Sequence, residues 1–348
     1  MVVGIELGKE YAQICVKTAS MKDAESVTKI AGEEHYRLPV TADLSQKSEV
    51  LEFFRGLWKL INCYADREKA EYVVFCLDEN SGQLREILLE IVQIYEVSPQ
   101  KVRFIDRKES FCAYVFHQPA ELLSHSALLI ENCGGEKKLF LLQKRTRTVP
   151  TVAQVQELTE KKLEDVFVEH PISSVFLVGD DFEEEWIQTH LKLLKAGRRV
   201  FMGKNLYVKG ACYVGTDWKE GQETYLYLGE DKLSCNIALK TREKERDEFI
   251  TIVEGGRNWY ESGASMELLL LEEPELEFAL IPINGREKKT VSIRLKGLPK
   301  RPERTTRLSL ELKLTSPETA KLQVKDLGFG ELFPRSEMCY EGELQWEQ

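Results

Sequence analysis

The stretch Gly4-Ile5-Glu6-Leu7-Gly8-Lys9-Glu10-Tyr11 decides how this chain is read. With Val2-Val3 before it and Ala12-Gln13-Ile14-Cys15-Val16 after it, apolar residues recur on both sides of a glycine. That pattern predicts a strand pair over Val2 to Val16, with Ile5, Leu7, Tyr11, Ile14 and Val16 toward a core. Farther along, Ala127–Ile130 and Leu139–Leu142 flank Asn132-Cys133-Gly134-Gly135, which reads as strand, turn and strand.

Helix-like and strand-like segments alternate around these hairpins. Val50, Phe53, Phe54, Leu57, Leu60 and Ile61 form the stripe of an amphipathic helix over 48–65. Tyr72–Leu77 is a short continuous apolar run, as in a strand covered on both faces. Asp78 and Ser81 offer capping oxygens to a helix that buries Leu84, Ile87, Leu88, Ile91 and Ile94. Val102–Ile105 predicts a strand, followed by a helix through Phe111 and Tyr114. Residues 153–169 predict a helix, Ser174–Val178 a strand and 183–195 a helix. The alternation defines an α/β sheet domain over 1–217.

Thr216–Gln222 is polar and reads as the connection to a second domain, 218–348. There the period is two, in Phe249–Val253, Met266–Leu271, Leu276–Ile281, Val291–Leu295, Leu308–Leu314 and Leu322–Val324. This predicts an all-β sandwich of seven or eight strands. No internal repeat is visible.

A formal charge of −10 over 348 residues argues against nucleic acid as a partner, which calls for clustered Lys and Arg. No apolar run approaches the roughly 20 residues of a membrane-spanning helix, and Met1–Glu6 lacks the features of a signal peptide. The eight cysteines form no C-x-x-C and read as small buried hydrophobes of a reducing compartment. The five histidines have no metal-ligand spacing. The expectation is a cytoplasmic protein without a membrane partner or a metal.

In their order, these elements resemble the actin-like ATPase superfamily, and within it the heat-shock protein 70 (DnaK-like) chaperones. Gly4–Tyr11 is similar to that family's first phosphate loop, Gly-Ile-Asp-Leu-Gly-Thr-Thr-Tyr. Val73–Cys76 and Asn80-Ser81-Gly82-Gln83-Leu84-Arg85 resemble its Val-Ile-Thr-Val-Pro strand and the helix start behind it. Ile130-Glu131-Asn132-Cys133-Gly134-Gly135 resembles the second phosphate loop, Asp-Leu-Gly-Gly-Gly-Thr. Val175–Asp180 resembles the adenosine-loop strand, and Val208-Lys209-Gly210-Ala211 the helix after it. Leu295–Pro302 and Leu322–Asp326 resemble segments of the chaperones' peptide-binding β-domain.

The resemblance implies hydrolysis of a magnesium-bound triphosphate by polar groups on the phosphate loops. This chain departs at nearly every such position. The first loop's Asp is Glu6, and its hydroxyl residues are Lys9 and Glu10. The second loop has Cys133 and Glu136 for its first glycine and its Thr, Glu131 for its leading Asp, and Lys138 for a later Asp. The family's catalytic Glu falls at Arg107, or at Asp106 with a one-residue shift. Gly179-Asp180-Asp181 puts two acids where base and ribose would pack.

The expectation is therefore a non-catalytic, lidless heat-shock-70-like protein, a pseudo-ATPase. It combines a reduced actin-like (ribonuclease H-like) α/β domain with an all-β sandwich, and it binds or scaffolds a protein or peptide. No cofactor and no catalytic residue are expected. Gly8, Lys9, Glu131, Gly134, Gly135 and Gly179 are the vestigial phosphate-site residues. The alternative is a divergent ATPase or chaperone-like switch that holds ATP or ADP with magnesium on the loop amides. In the β-domain, Trp259 and Tyr260 beside Gly255-Gly256, and Arg301 and Arg304 in a basic loop, are the candidate protein contacts. The plain readings are aromatics packed into the sandwich and a solvated turn.

Overall fold

The computed structural model describes all residues except 28, 31–32, 35–36, 65–67, 79–80, 134–135, 147–149, 160, 180–181, 183, 223, 244–245, 272, 284–286 and 347–348. It divides into two compact units, Met1–Tyr225 and Leu226–Gln348.

In the first unit, Val2–Leu7 is the central strand of a sheet. It runs antiparallel to Tyr11–Lys17, which pairs in turn with Glu25–Ser26. On its other side it runs parallel to Tyr72–Leu77, beyond which lies Val102–Ile105. A second sheet has the same plan. Ser126–Cys133 is antiparallel to Glu136–Lys144, which pairs with Thr151–Glu157. It is parallel to Ile172–Gly179, which pairs with Arg199–Met202. Leaving aside the marginal Leu38–Pro39 and Tyr225–Tyr227, both sheets run 3-2-1-4-5 when their strands are counted in chain order.

The helices repeat as well. Lys47–Tyr64 and Leu163–Glu169 precede the fourth strands, Gly82–Ile94 and Glu184–Lys195 join fourth to fifth, and Arg107–Phe116 and Leu206–Glu220 follow the fifth. The chain thus repeats one plan that its residues conceal, because the repetition lies in backbone pairing and not in side-chain identity.

Each sheet has its own core. Phe54, Leu57, Leu88 and Ile91 pack on Ile5, Ile14 and Phe75 in the first, and Val166 and Leu194 on Leu128, Leu141 and Val175 in the second. Ser81 caps the Gly82–Ile94 helix by accepting from the Leu84 N–H at 3.2 Å. Within that helix the buried face ends on Val92, while Ile94 is 58% exposed.

Two expectations are corrected here. Residues 153–169 are not one helix. Thr151–Glu157 is a strand that buries Val152, Ala153 and Val155, and the helix starts only at Leu163. β-branched residues alternating with polar ones fit a pleated surface better than a helical face. Nor is Thr216–Gln222 a connection. The Leu206–Glu220 helix runs through it and stops at Gly221, whose φ of 66° suits glycine. Trp218 holds the last turn down, edge-on to Tyr72 at 5.0 Å and under the Arg103 guanidinium at 4.0 Å. The boundary moves to Tyr225.

The Leu206–Glu220 helix packs unusually closely. A Cβ on Gly4 would lie 2.6 Å from the Cys212 amide nitrogen, and one on Gly210 would lie 2.0 Å from the Ser110 carbonyl oxygen. The Ser110 hydroxyl donates to the Tyr207 carbonyl at the same crossing.

The second unit consists of two four-stranded antiparallel sheets. One runs Arg246–Val253, Cys235–Glu243, Glu275–Pro282, Lys289–Arg294; the other runs Gly263–Leu270, Thr306–Ser316, Thr319–Asp326, Cys339–Gln345. Ile237, Phe278 and Leu280 from the first share one core with Leu308, Leu310, Leu322 and Val324 from the second. Cys339–Gln345 escapes a hydrophobicity reading because Leu344 is its only fully buried residue. No helix among the described residues is long and apolar enough to cross a membrane.

Gly210→Ala should lower the unfolding free energy by on the order of 3 kcal/mol, since a backbone oxygen blocks the new methyl. Chemical denaturation of both proteins checks this.

Candidate functional site

The two sheets bring the carboxyl ends of their central strands together. Glu6 pairs with Cys76 and Glu131 with Val178, each one step before the end of its parallel ladder. The two acids therefore hold corresponding positions in the repeated plan. Asp78 follows directly on Tyr72–Leu77. Arg107 opens the helix after Val102–Ile105, where the Asp106 carboxylate caps by accepting from the Glu109 N–H at 2.6 Å.

Arg107 occupies the common focus of these groups. Its Nη1 lies 3.0 Å from Asp78 Oδ1 and 3.1 Å from Glu131 Oε1. Its Nη2 lies 3.4 Å from Glu6 Oε1 and donates to the Tyr11 hydroxyl at 3.4 Å. Tyr11 donates onward to Glu6, and Tyr207 donates to Glu131 Oε1 at 3.0 Å. The Arg37 guanidinium stacks over the Tyr11 ring at 4.1 Å. Side-chain exposure is 2% for Glu6, 9% for Glu131 and 19% for Arg107 but 37% for Asp78, so water screens the Glu6 and Glu131 contacts little and the Asp78 contact more.

A cation at the first position of a helix faces the positive end of the helix dipole. The three carboxylates offset that placement. Burial alone would lower the Arg107 pKa, but Glu6, Asp78 and Glu131 hold it well above its ordinary value. Burial pushes Glu6 up to about 7, against the lowering influence of Arg107 and Arg37. Burial also raises the Tyr207 hydroxyl, and neighbouring Glu131 adds to this, so Tyr207 stays a donor.

A divalent cation takes carboxylate oxygens, but Glu6, Asp78 and Glu131 do not form a group that could hold one. Here a guanidinium stands at their focus, and its charge-assisted bonds satisfy the oxygens a metal would need. A divalent cation at that focus would have to displace Arg107. An arginine is always protonated and offers no general base. The cluster is an internal charge lock.

Gly8 closes the first hairpin by donating its N–H to the Tyr11 carbonyl at 3.0 Å, and Lys9 is exposed at the hairpin tip. Gly134 and Gly135 lie outside the described residues, as do Asp180 and Asp181. Gly179 has φ 127°, and a Cβ there would meet the Asn132 carbonyl oxygen at 1.9 Å, so the contact between strands itself requires glycine. Asp78, read as a helix cap, pairs with Arg107 instead. Tyr11, Asp78 and Tyr207 were not foreseen as site residues. Asp78 carried a signal as an acid directly after a buried strand, whereas Tyr207 carried none.

In the β-unit, Trp259 and Tyr260 lie in a short 3-10 turn, edge to face at 5.6 Å, and Trp259 packs half-buried against the core. The Arg301 side chain is 4% exposed and grips Asp326 with two nitrogens, at 2.8 and 2.7 Å, which leaves little of it for a partner. Although burial acts the other way, Arg301 and the Gly328 and Ser336 donors hold Asp326 far below the usual carboxylate range. Arg304 is exposed, with φ 61°.

The chain belongs to the family of unknown function DUF5716, whose C-terminal part matches residues 33–230. A domain of unknown function, DUF8552, matches residues 232–346. A search of curated proteins found none similar. Among solved structures, the inorganic polyphosphate/ATP-glucomannokinase from Arthrobacter sp. strain KM is similar over 63% of this chain and 98% of its own, at 10% identity and a TM-score of 0.38.

Arg107→Met should destabilise the protein by about 3–5 kcal/mol, because it strands buried carboxylates. Glu6 supplies a pH test. Its folded pKa of about 7 exceeds the unfolded 4.5, so the folded state binds more protons between these values and stability falls as pH rises through that window. Glu6→Gln should abolish this slope, gaining on the parent between about pH 5 and about pH 8 in thermal melts.

Proposed function

We propose that this protein is a non-catalytic binding or scaffolding module for a protein or peptide in the cytoplasm. In this reading an actin-like (ribonuclease H-like) domain of heat-shock-70 type is joined to a peptide-binding-type β-sandwich, and its own arginine closes the nucleotide site.

The observation that carries the reading is the position of Arg107 among Glu6, Asp78 and Glu131. It is also the position at which the resemblance, taken without the one-residue shift to Asp106, puts the catalytic Glu. A single substitution there removes a carboxylate from the reaction and places a cation where the metal would sit. The actin-like reading draws support from the twofold strand order and from a cluster at the carboxyl ends of the central strands, where ligands bind in sheets of this kind. With two guanidinium groups near three carboxylates and Glu6 titrating near neutrality, little net charge remains to attract a cation.

Calorimetric titration with ATP and ADP, with and without magnesium, should give no binding heat at about millimolar ligand. Magnesium-dependent hydrolysis that is lost in Glu131→Gln would overturn the reading.

A further inference from the structure

The second sheet of the first unit carries a cleft at the opposite end of its strands from Glu131. It opens where Ser126–Cys133, Ile172–Gly179 and Arg199–Met202 begin, and it has a volume of about 480 Å³. Small-molecule sites fall in the range of roughly 300–1,000 Å³.

Most polar groups of the cleft can donate to an oxyanion, and Glu121 is the one acid among its lining residues. Ser124 and Ser173 hydroxyls lie 2.8 Å apart, and Ser173 accepts from the His125 backbone N–H at 2.9 Å. His125 Nδ1 stands 3.4 Å from both hydroxyls. Arg198 spreads its guanidinium over the Phe167 ring at 3.9 Å and donates one bond, from Nη1 to the Leu193 carbonyl at 3.0 Å. Among the described residues no carboxylate pairs with it. Burial lowers its pKa, and no neighbouring charge compensates. Arg199, beside it, holds Glu121 at 3.2 Å, but both groups are more than half exposed, so the pair is weak and readily exchanged.

A partly desolvated guanidinium with spare donors and no acid paired to it is completed by an anion. Arg198 is oriented by an aromatic face beneath it and a carbonyl at its flank. It shares the cleft with two hydroxyls, His125, His170, the Arg199–Glu121 pair and the apolar surface of Phe167 and Ile172. The charged end and the apolar wall together call for a ligand with a compact oxyanion on a small organic body.

We propose that this cleft binds a small phosphomonoester, its phosphate held by Arg198 with Ser124, Ser173 and Arg199, and its organic part against Phe167 and Ile172. The site is separate from the Arg107 cluster and does not depend on the function proposed above.

The test is calorimetry and thermal melting of the full chain with phenyl phosphate and glycerol phosphate, with phenol, glycerol and inorganic sulfate as controls. Both phosphomonoesters should bind and raise the melting temperature, while phenol and glycerol should do neither. Arg198→Met should weaken binding by about tenfold or more, and Arg198→Lys should recover part of the loss. Ser173→Ala serves as a second variant and should weaken binding by a smaller factor. No binding of either phosphomonoester, binding untouched by both the Arg198→Met and Ser173→Ala changes, or sulfate binding as tightly as the esters would each overturn the proposal.

Discussion

A buried cation at the start of a helix is the constraint around which the first unit is arranged. Arg107 opens the helix after the fifth strand of its sheet, where the backbone dipole opposes a positive charge. It is tolerated because three carboxylates reach it, two from its own sheet and one from the other. Each carboxylate in turn depends on the arginine: Glu6 and Glu131 are too buried to be left as isolated anions. The preference of Glu6 for a proton near neutrality shows how nearly the burial of this cluster offsets its attractions.

The cluster also needs its helices close. Arg107–Phe116 and Leu206–Glu220 occupy equivalent places in the repeated plan, and both send a residue from their first turn to Glu131 Oε1. That convergence depends on Gly210, which lets the second helix touch the Ser110 backbone, and on Gly4, which lets it rest on the central strand. Small residues far from the charges thus set the distances among the charges. Two related acids and a single arginine cannot preserve the symmetry of the plan. The two halves therefore differ most where they meet: one sends an arginine, the other a tyrosine.

Legibility in the sequence followed the range of the interaction. Strands with a period of two or a continuous apolar run could be read locally, as could the Ser81 cap. Thr151–Glu157 is read as helix although β-branched residues alternate in it, and its pairing with Glu136–Lys144, which no local window shows, is what decides it. The repeated strand order is invisible in residue identities. Arg107 stood out as a cation at an acid's place, but its three partners lie 24, 29 and 101 residues away and only the fold collects them. The pairing of Arg301 was hidden for the same reason. A run of basic residues between prolines looks solvated until Asp326, 25 residues on, turns one of them inward.

The junction of Arg107 with Glu131 has a consequence for timing. A metal ion bridging two sheets arrives and leaves with its concentration, and whatever it holds together opens and closes on supply. A side chain cannot be diluted. The bridge here is present at a fixed effective concentration from the moment the chain folds. Glu6 shares the same arginine and takes up a proton near neutrality, so the charge around the bridge follows pH.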